Sequence, residues 1–390
     1  SILKTVKGYA SFNELTEVLE MLKGGFGLID APNLFTNKVD EVLVAQDIRP
    51  TCSEPKIYLN MGTVAKRRPD NVNQQGTSGG TVAARATLNM MVSAHMDDFK
   101  ATGPQTYLNW LRDVLSKAFG GDVKMEQEAS FIHTGIKHTR IDNKQSGKFH
   151  YVLDQIEYAS AIKPVDVPEL IRMKDEEPLH GFLHNCFMTL LGATAWVLQT
   201  RMDIAVYVSA LQRRMQTARA IDLRRLNRVI RATQKNPQGM HYHQLPEPRV
   251  LLAVGDSAFQ APTDEEITEG SDPLVMRGYI LAWAHRTNLP DSTSSSSSSS
   301  QPGAARKVPQ GVTLGRRRYQ LQILDYSAGK QSHVCRGVWS SELHNQCDMV
   351  EMASVVAGFT LEAARGPQSG GAMVQAMSQG QVPMSIEALT

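Results

Sequence analysis

Leu88, Met90, Val92, Ala94 and Met96 alternate with their neighbours. A period of two predicts a half-buried strand over this stretch. Asp97 and Asp98 follow directly, and Thr102-Gly103-Pro104 supplies turn residues, so both carboxylates are expected at or near a hairpin tip. With Cα atoms about 3.8 Å apart, two such groups either sit in a solvated turn or share a cation that neutralises them. Before the strand, FNELTEVLEML (12–22) has helical spacing and stops at Gly24-Gly25. LFTNKVDEVLVAQ is helical again, and KIYLN (56–60) reads as a strand. After the hairpin, Leu108, Leu111, Leu115 and Phe119 share one face of YLNWLRDVLSKAF (107–119), an amphipathic helix. FIHTGIKH (131–138) is expected to be one strand.

The pattern becomes helical over 183–236. In IDLRRLNRVIRATQK (221–235), Leu223, Leu226 and Ile230 mark a core face. Arg224, Arg228, Arg231 and Lys235 recur at i, i+4, i+7 and i+11 beside it. From 212 to 235 eight basic residues face Asp222 alone. A run of one sign is either a solvated face or a contact for phosphate backbones. Near Pro248 the pattern returns to strands: RVLLAVGDSAF (249–259) ending on Asp256, RGYILAWAH (277–285) and YQLQILDYS (319–327). Residues 334–364 run from a strand into a long helix with Glu342 near its start. VPMSIEALT alternates from Met384 and reads as a last strand.

The 390 residues are 42% hydrophobic and 21% charged, figures of a globular protein with room for two or three domains. A net charge of +2 is too small to imply a nucleic-acid partner by itself, so that case rests on local patches. Cys52, Cys186, Cys335 and Cys347 are widely separated and form no CxxC pair, which reads as an intracellular, reducing setting. His333, Cys335, His344 and Cys347 do not have common zinc spacing. The apolar run from Cys186 to Leu198 is too short to span a bilayer, and no membrane partner is expected. QQGTSGG lacks the Gly-Lys-Ser/Thr of a phosphate-binding loop. The serine tract near 290–310 is expected to be disordered. The opening SILKTVKGY, without an initiator Met, reads as the interior of a longer polyprotein.

Taken in order, these motifs resemble the reverse transcriptase–ribonuclease H part of copia-type LTR retrotransposon polyproteins. GFGLIDAP (25–32) resembles that family's YGLKQAP segment, and HMDDF (95–99) its YVDD box, with His95 in place of Tyr or Phe. FIHTGIKH is similar to FLGIEI, and LLGATAWVLQTRMDIAVYVSALQR (190–213) to GSLMYLTNTRPDIAFAVSLLSR. DLRRLNRVIRATQ is similar to HWKALKRVLRYLK, GDSAF (255–259) to SDADWAG, and the run from Lys330 to Glu342 to KQxxVALSSTEAEY.

The resemblance implies an α+β architecture: a partial polymerase palm over 1–150, a helical thumb and connection over 151–245, and a ribonuclease H-like mixed sheet over 246–390, truncated at its C-terminus. It implies two-ion Mg²⁺ (or Mn²⁺) sites, with Asp97 and Asp98 in the polymerase and Asp256 and Glu342 in the nuclease. Each site lacks one carboxylate here; the nuclease's third is expected at position 391 or within two residues of it. Implied partners are an RNA template, a DNA primer, an RNA–DNA hybrid, and other Pol and Gag segments in cytoplasmic particles or the nucleus. Nucleic-acid contacts are expected along Arg224, Arg228, Arg231 and Lys235. The alternative is a decayed or domesticated derivative that only binds nucleic acid, a reading favoured by His95 and the serine insert.

Overall fold

The computed structural model describes residues 13, 15–16, 31–63, 86–96, 98–121, 123–145, 147–260, 274–287, 312–314, 317–331, 337–382 and 385–389. Asp97, most of GFGLIDAP, most of the expected helix at 12–22, QQGTSGG, the serine tract, His333 and Cys335 lie outside the described residues. The architecture is mixed α+β, with three separate sheets. The chain forms two compact units, residues 1–124 and 125–390.

The first unit holds α1 (Ala31–Val44), β1 (Ile48–Pro50), β2 (Ile57–Thr63), β3 (Ala86–His95), β4 (Asp98–Thr102) and α2 (Gln105–Phe119). Its sheet has the order β1-β2-β3-β4. The alternation read in the sequence sets the buried face of β3: Met90, Val92 and Ala94 are buried, while Met96, in the turn, is 66% exposed. The same face covers Leu111 and Leu115 of α2 and Val39 and Leu43 of α1. A two-residue turn joins β3 to β4, because His95 pairs with Asp98. Met96 there takes φ +50°, the left-handed conformation that hairpin turns of the primed types require. For a residue with a Cβ that conformation costs on the order of 1 kcal/mol.

In the second unit, β5 (Ser130–His133), β6 (Ile136–Asn143) and β7 (Lys148–Asp154) form a meander that β8 (Met240–His243) completes in the order β5-β6-β7-β8. FIHTGIKH is thus a hairpin rather than one strand. Thr134 (φ +51°) and Gly135 (φ +75°) turn the chain between Ile132 and Lys137. This sheet joins residues on both sides of position 150, where the sequence suggested a boundary.

Between β7 and β8 lie α3 (Ile156–Ala161), α4 (Pro168–Arg172), α5 (Gly181–Trp196), α6 (Ala205–Gln212) and α7 (Ala220–Lys235). Leu183, Phe187 and Leu191 of α5 pack with Val208 of α6 and with Leu223, Leu226 and Ile230 of α7. Helical turns continue α5 to Gln199, and this stretch of 19 residues is long and apolar enough, by length and composition, to cross a membrane. That corrects the shorter run read from the sequence, although the helix contributes its apolar positions to the helical core.

The last sheet has the order β11-β12-β10-β9-β13. Its strands are β9 (Val250–Gln260), β10 (Leu274–Thr287), β11 (Val312–Leu314), β12 (Arg317–Lys330) and β13 (Ser385–Leu389). β9 to β12 pair antiparallel, whereas β13 lies parallel to β9, with Leu389 opposite Val254. The long helix α8 (Val338–Arg365) precedes α9 (Gly370–Ser378) and β13. Alternation along β9 splits its two faces. Leu251 and Ala253 meet Met349, Ala353 and Ala357 of α8, and Val250 and Leu252 meet Ala284 and Tyr319 on the other face.

Candidate nucleic-acid interface and carboxylate site

The start of α8 is fastened to the end of β9 by buried polar groups. Ser341 and Asn345, one helical turn apart, are both fully buried. Ser341 Oγ donates to Ser257 Oγ at 2.9 Å. Asn345 Nδ2 donates to the carbonyls of Asp256 (2.9 Å) and Gly278 (3.2 Å), so one side chain ties the helix to two strands. The close approach depends on Gly255: a Cβ there would lie 3.0 Å from Asn345 Nδ2 and from Met349 Sδ.

Glu342 follows Ser341, and its Oε1 accepts a long hydrogen bond of 3.4 Å from the Ser257 backbone N–H. The fold therefore brings Glu342 to the residue next to Asp256, from 85 positions away in sequence. Asp256 is exposed and belongs to the strand parity that faces away from α8. Among the described residues, neither carboxylate is ion-paired with Lys or Arg. Carboxylate oxygens are hard donors of the kind Mg²⁺ prefers; Glu342 reaches β9 from the α8 side, whereas Asp256 belongs to the other face of the strand. Asp348, one and a half turns further along α8, is paired with Arg277. Asp325 of β12 accepts from the Tyr279 hydroxyl at 3.1 Å, and burial followed by this carboxylate pushes the Tyr279 pKa up to about 12.

In the first unit Asp98 is exposed at the first position of β4, opposite His95. Asp97 lies outside the described residues, and the two expected carboxylate sites belong to different compact units.

The basic stripe of α7 divides into two. At roughly 100° per residue, Arg224 and Arg231 lie on one flank of the stripe and Arg228 and Lys235 on the other, nearer Arg225. On the first flank, Arg224 is paired with Asp175 and also donates to the carbonyls of Leu170 (2.6 Å) and Met173 (2.5 Å). Arg231 is paired with Asp166, bonding its Oδ1 at 2.6 Å. These two arginines hold the α3–α5 connection against α7. Arg224 and Arg231 thus carry acidic partners within the chain, and the four stripe residues do not share one environment.

On the second flank, Arg225, Arg228 and Lys235 line a cleft of about 1330 Å³ with Arg213, Arg214 and Lys330. Its two carboxylates are engaged. Asp222 accepts from the Arg219 N–H at 3.0 Å, at the start of α7. Asp203 is held by Arg201 through a bidentate contact of 2.8 and 2.7 Å. Burial, then repulsion from Arg214, lowers the Arg213 pKa. The cleft is a concave, positively charged groove with an apolar floor of Ile204, Leu211 and Val229. Polyanions are drawn to such a groove because phosphate contacts release counterions.

Arg213, Arg214 and Lys330 were not singled out from the sequence as groove residues. Lys330 lies far along the chain from α7, at the end of β12. Arg213 and Arg214 were visible only as part of the charge imbalance. No protein-family model, curated protein or solved structure matches the chain.

Proposed function

We propose that the chain is the reverse transcriptase–ribonuclease H part of a copia-type LTR retrotransposon polyprotein. It would be an RNA-directed DNA polymerase joined to a nuclease for RNA–DNA hybrids. The observation that carries the reading is the packing of the head of α8 on β9, which brings Glu342 to the backbone N–H of Ser257, next in sequence to Asp256. A first carboxylate on the first strand of a mixed sheet, a second at the head of the long helix and a later strand beside the first is the order that the resemblance implied. β13 supports it further: it runs parallel to β9 towards Asp256, with Leu389 opposite Val254.

Asp256 and Glu342 are the residues that would hold Mg²⁺, and Ser341 and Asn345 position Glu342. When bound, the ion supplies charge neutralisation at the phosphoryl oxygens. The basic cleft contributes electrostatic attachment of the polyanion. In the polymerase, Asp98 together with Asp97 would take the corresponding role.

The test is Mg²⁺ titration of the full chain, read at the amides of Asp256 and Ser257, beside an RNA–DNA hybrid binding and cleavage assay. Mg²⁺ should shift both amides weakly, and Glu342→Gln or Asp256→Asn should remove the response. The hybrid should bind, and any Mg²⁺-dependent cleavage should require both Glu342 and Asp256. Amides indifferent to Mg²⁺, or cleavage that survives Glu342→Gln, would refute the site. The cleft favours a second reading, a protein that only binds nucleic acid. Tight hybrid binding without any Mg²⁺ response would select it.

A further inference from the structure

β7 and β8 carry three histidines that neither proposed nucleic-acid activity uses. His150 stands opposite His243 in the antiparallel register, and His241 stands opposite Val152. Side chains of paired and alternate residues share a face, so all three imidazoles project from one side of the ribbon. Their ring centroids are 4.4 Å (His150–His243), 5.9 Å (His150–His241) and 6.1 Å (His241–His243) apart. One ring nitrogen from each lies within 4.8 Å of the others. Around a zinc ion with Zn–N bonds of about 2.0–2.1 Å, tetrahedral nitrogens stand about 3.4 Å apart. Closing the remaining gap of about 1.4 Å takes small side-chain rotations, and His241 and His243 are exposed and free of core packing.

The neighbours on this face narrow the ion. On β6, Ile141 stands opposite His150 and Thr139 opposite Val152. The donor set is therefore three imidazole nitrogens; Asp154, further along the same face of β7, accepts from the Ile156 backbone N–H at 3.1 Å. Mg²⁺ and Ca²⁺ prefer oxygen, whereas imidazole suits Zn²⁺, Cu²⁺ and Ni²⁺.

We propose that His150, His241 and His243 form a binding site for a zinc-type transition-metal dication, with its remaining coordination position open to water. The chain between the ligands contains α3 to α7, and with them every lining residue of the basic cleft except Lys330. Among the described residues, β8 is a four-residue strand at the edge of this sheet, paired with β7. A metal bridging the two strands would fasten the return of the chain from α7. This inference is independent of the retrotransposon reading.

The experiment uses the full chain, stripped with a chelator and titrated with Zn²⁺ by calorimetry. A parallel Co²⁺ titration reads visible absorption, and X-ray absorption of the zinc-loaded protein counts imidazole ligands. The expected result is one saturable equivalent with two or more imidazoles and no sulfur in the zinc shell. Each of His150→Gln, His241→Gln and His243→Gln should lower the affinity at least about tenfold, since even hydrogen-bond partners of zinc ligands are worth that much. His344→Ala/Cys347→Ala should leave it unchanged. Absence of saturable binding at about 100 μM Zn²⁺, sulfur in the zinc shell, or affinity untouched by His243→Gln would overturn the proposal. The X-ray absorption readout needs no variant, so it decides the matter even if a substitution disturbs folding.

Discussion

Asp203→Asn offers the sharpest test of how the helical core is held together. Arg201 is 4% exposed, and its fork grips Asp203 through Nε–Oδ1 (2.8 Å) and Nη2–Oδ2 (2.7 Å). Its Nη1 donates to the Thr233 carbonyl at 3.2 Å, in the last turn of α7. That carbonyl lacks a helical partner, and a cation there also complements the helix dipole. Removing one member of a buried ion pair costs about 3–5 kcal/mol, because the other charge is left without a partner. The Asp203 side chain is 49% exposed, so water screens the loss to about 1.5–2.5 kcal/mol.

The pH dependence of that loss follows from the carboxylate. The hydrogen bond from Arg201 holds the Asp203 pKa below its usual value, against a smaller opposing effect of burial. A depressed folded pKa gives stability that is complete above the unfolded value, about 3.9, and is lost as pH falls through the lowered one. Wild type and Asp203→Asn should therefore differ most at neutral pH and converge in acid. Urea unfolding followed by far-UV circular dichroism at about pH 7, 5 and 3 measures the gap. A difference below about 0.3 kcal/mol at pH 7, or one that does not shrink at the acid end, would refute the reasoning.

Leu226→Ala opens a cavity where the side chain is fully buried between α7 and α5, and should cost about 2–5 kcal/mol in the same unfolding assay. Gly135→Ala should cost about 1–2 kcal/mol, because φ is +75° and the new Cβ would lie 3.2 Å from Trp196 Nε1. Arg228→Ala/Lys235→Ala should reduce the salt slope of hybrid binding by about two units. Arg224→Ala/Arg231→Ala should barely change that slope and should lower stability instead. Equal slopes for the two pairs would return the cleft to an ordinary solvated surface.

Local patterning determined most elements. The period of two in β3, the apolar face of 107–119 and the apolar runs that became β9, β10 and β12 need only short-range rules, because each element buries the face its own residues define. The hairpin before Asp98 was legible for the same reason. The turn at Thr134-Gly135 was missed because one glycine inside an apolar run is a weak signal, and its left-handed backbone shows only in three dimensions. The tertiary structure alone decided which charges are available. Arg224 and Arg231 look like Arg228 and Lys235 in the sequence, but Asp175 and Asp166, from a distant connection, neutralise the first pair. Arg213, Arg214 and Lys330 join the second pair in one groove. The chain order of Asp256 and Glu342 suggested a common site through resemblance. The approach of Glu342 to β9 depends on Gly255 admitting α8, and on Ser341 and Asn345 anchoring it. The histidine triad is hidden in the sequence for a similar reason: His150 meets His241 and His243 only through the register of β7 on β8. Periodicity is a property of neighbours along the chain, whereas electrostatic pairing and ligand geometry depend on which distant segments the packed core brings together.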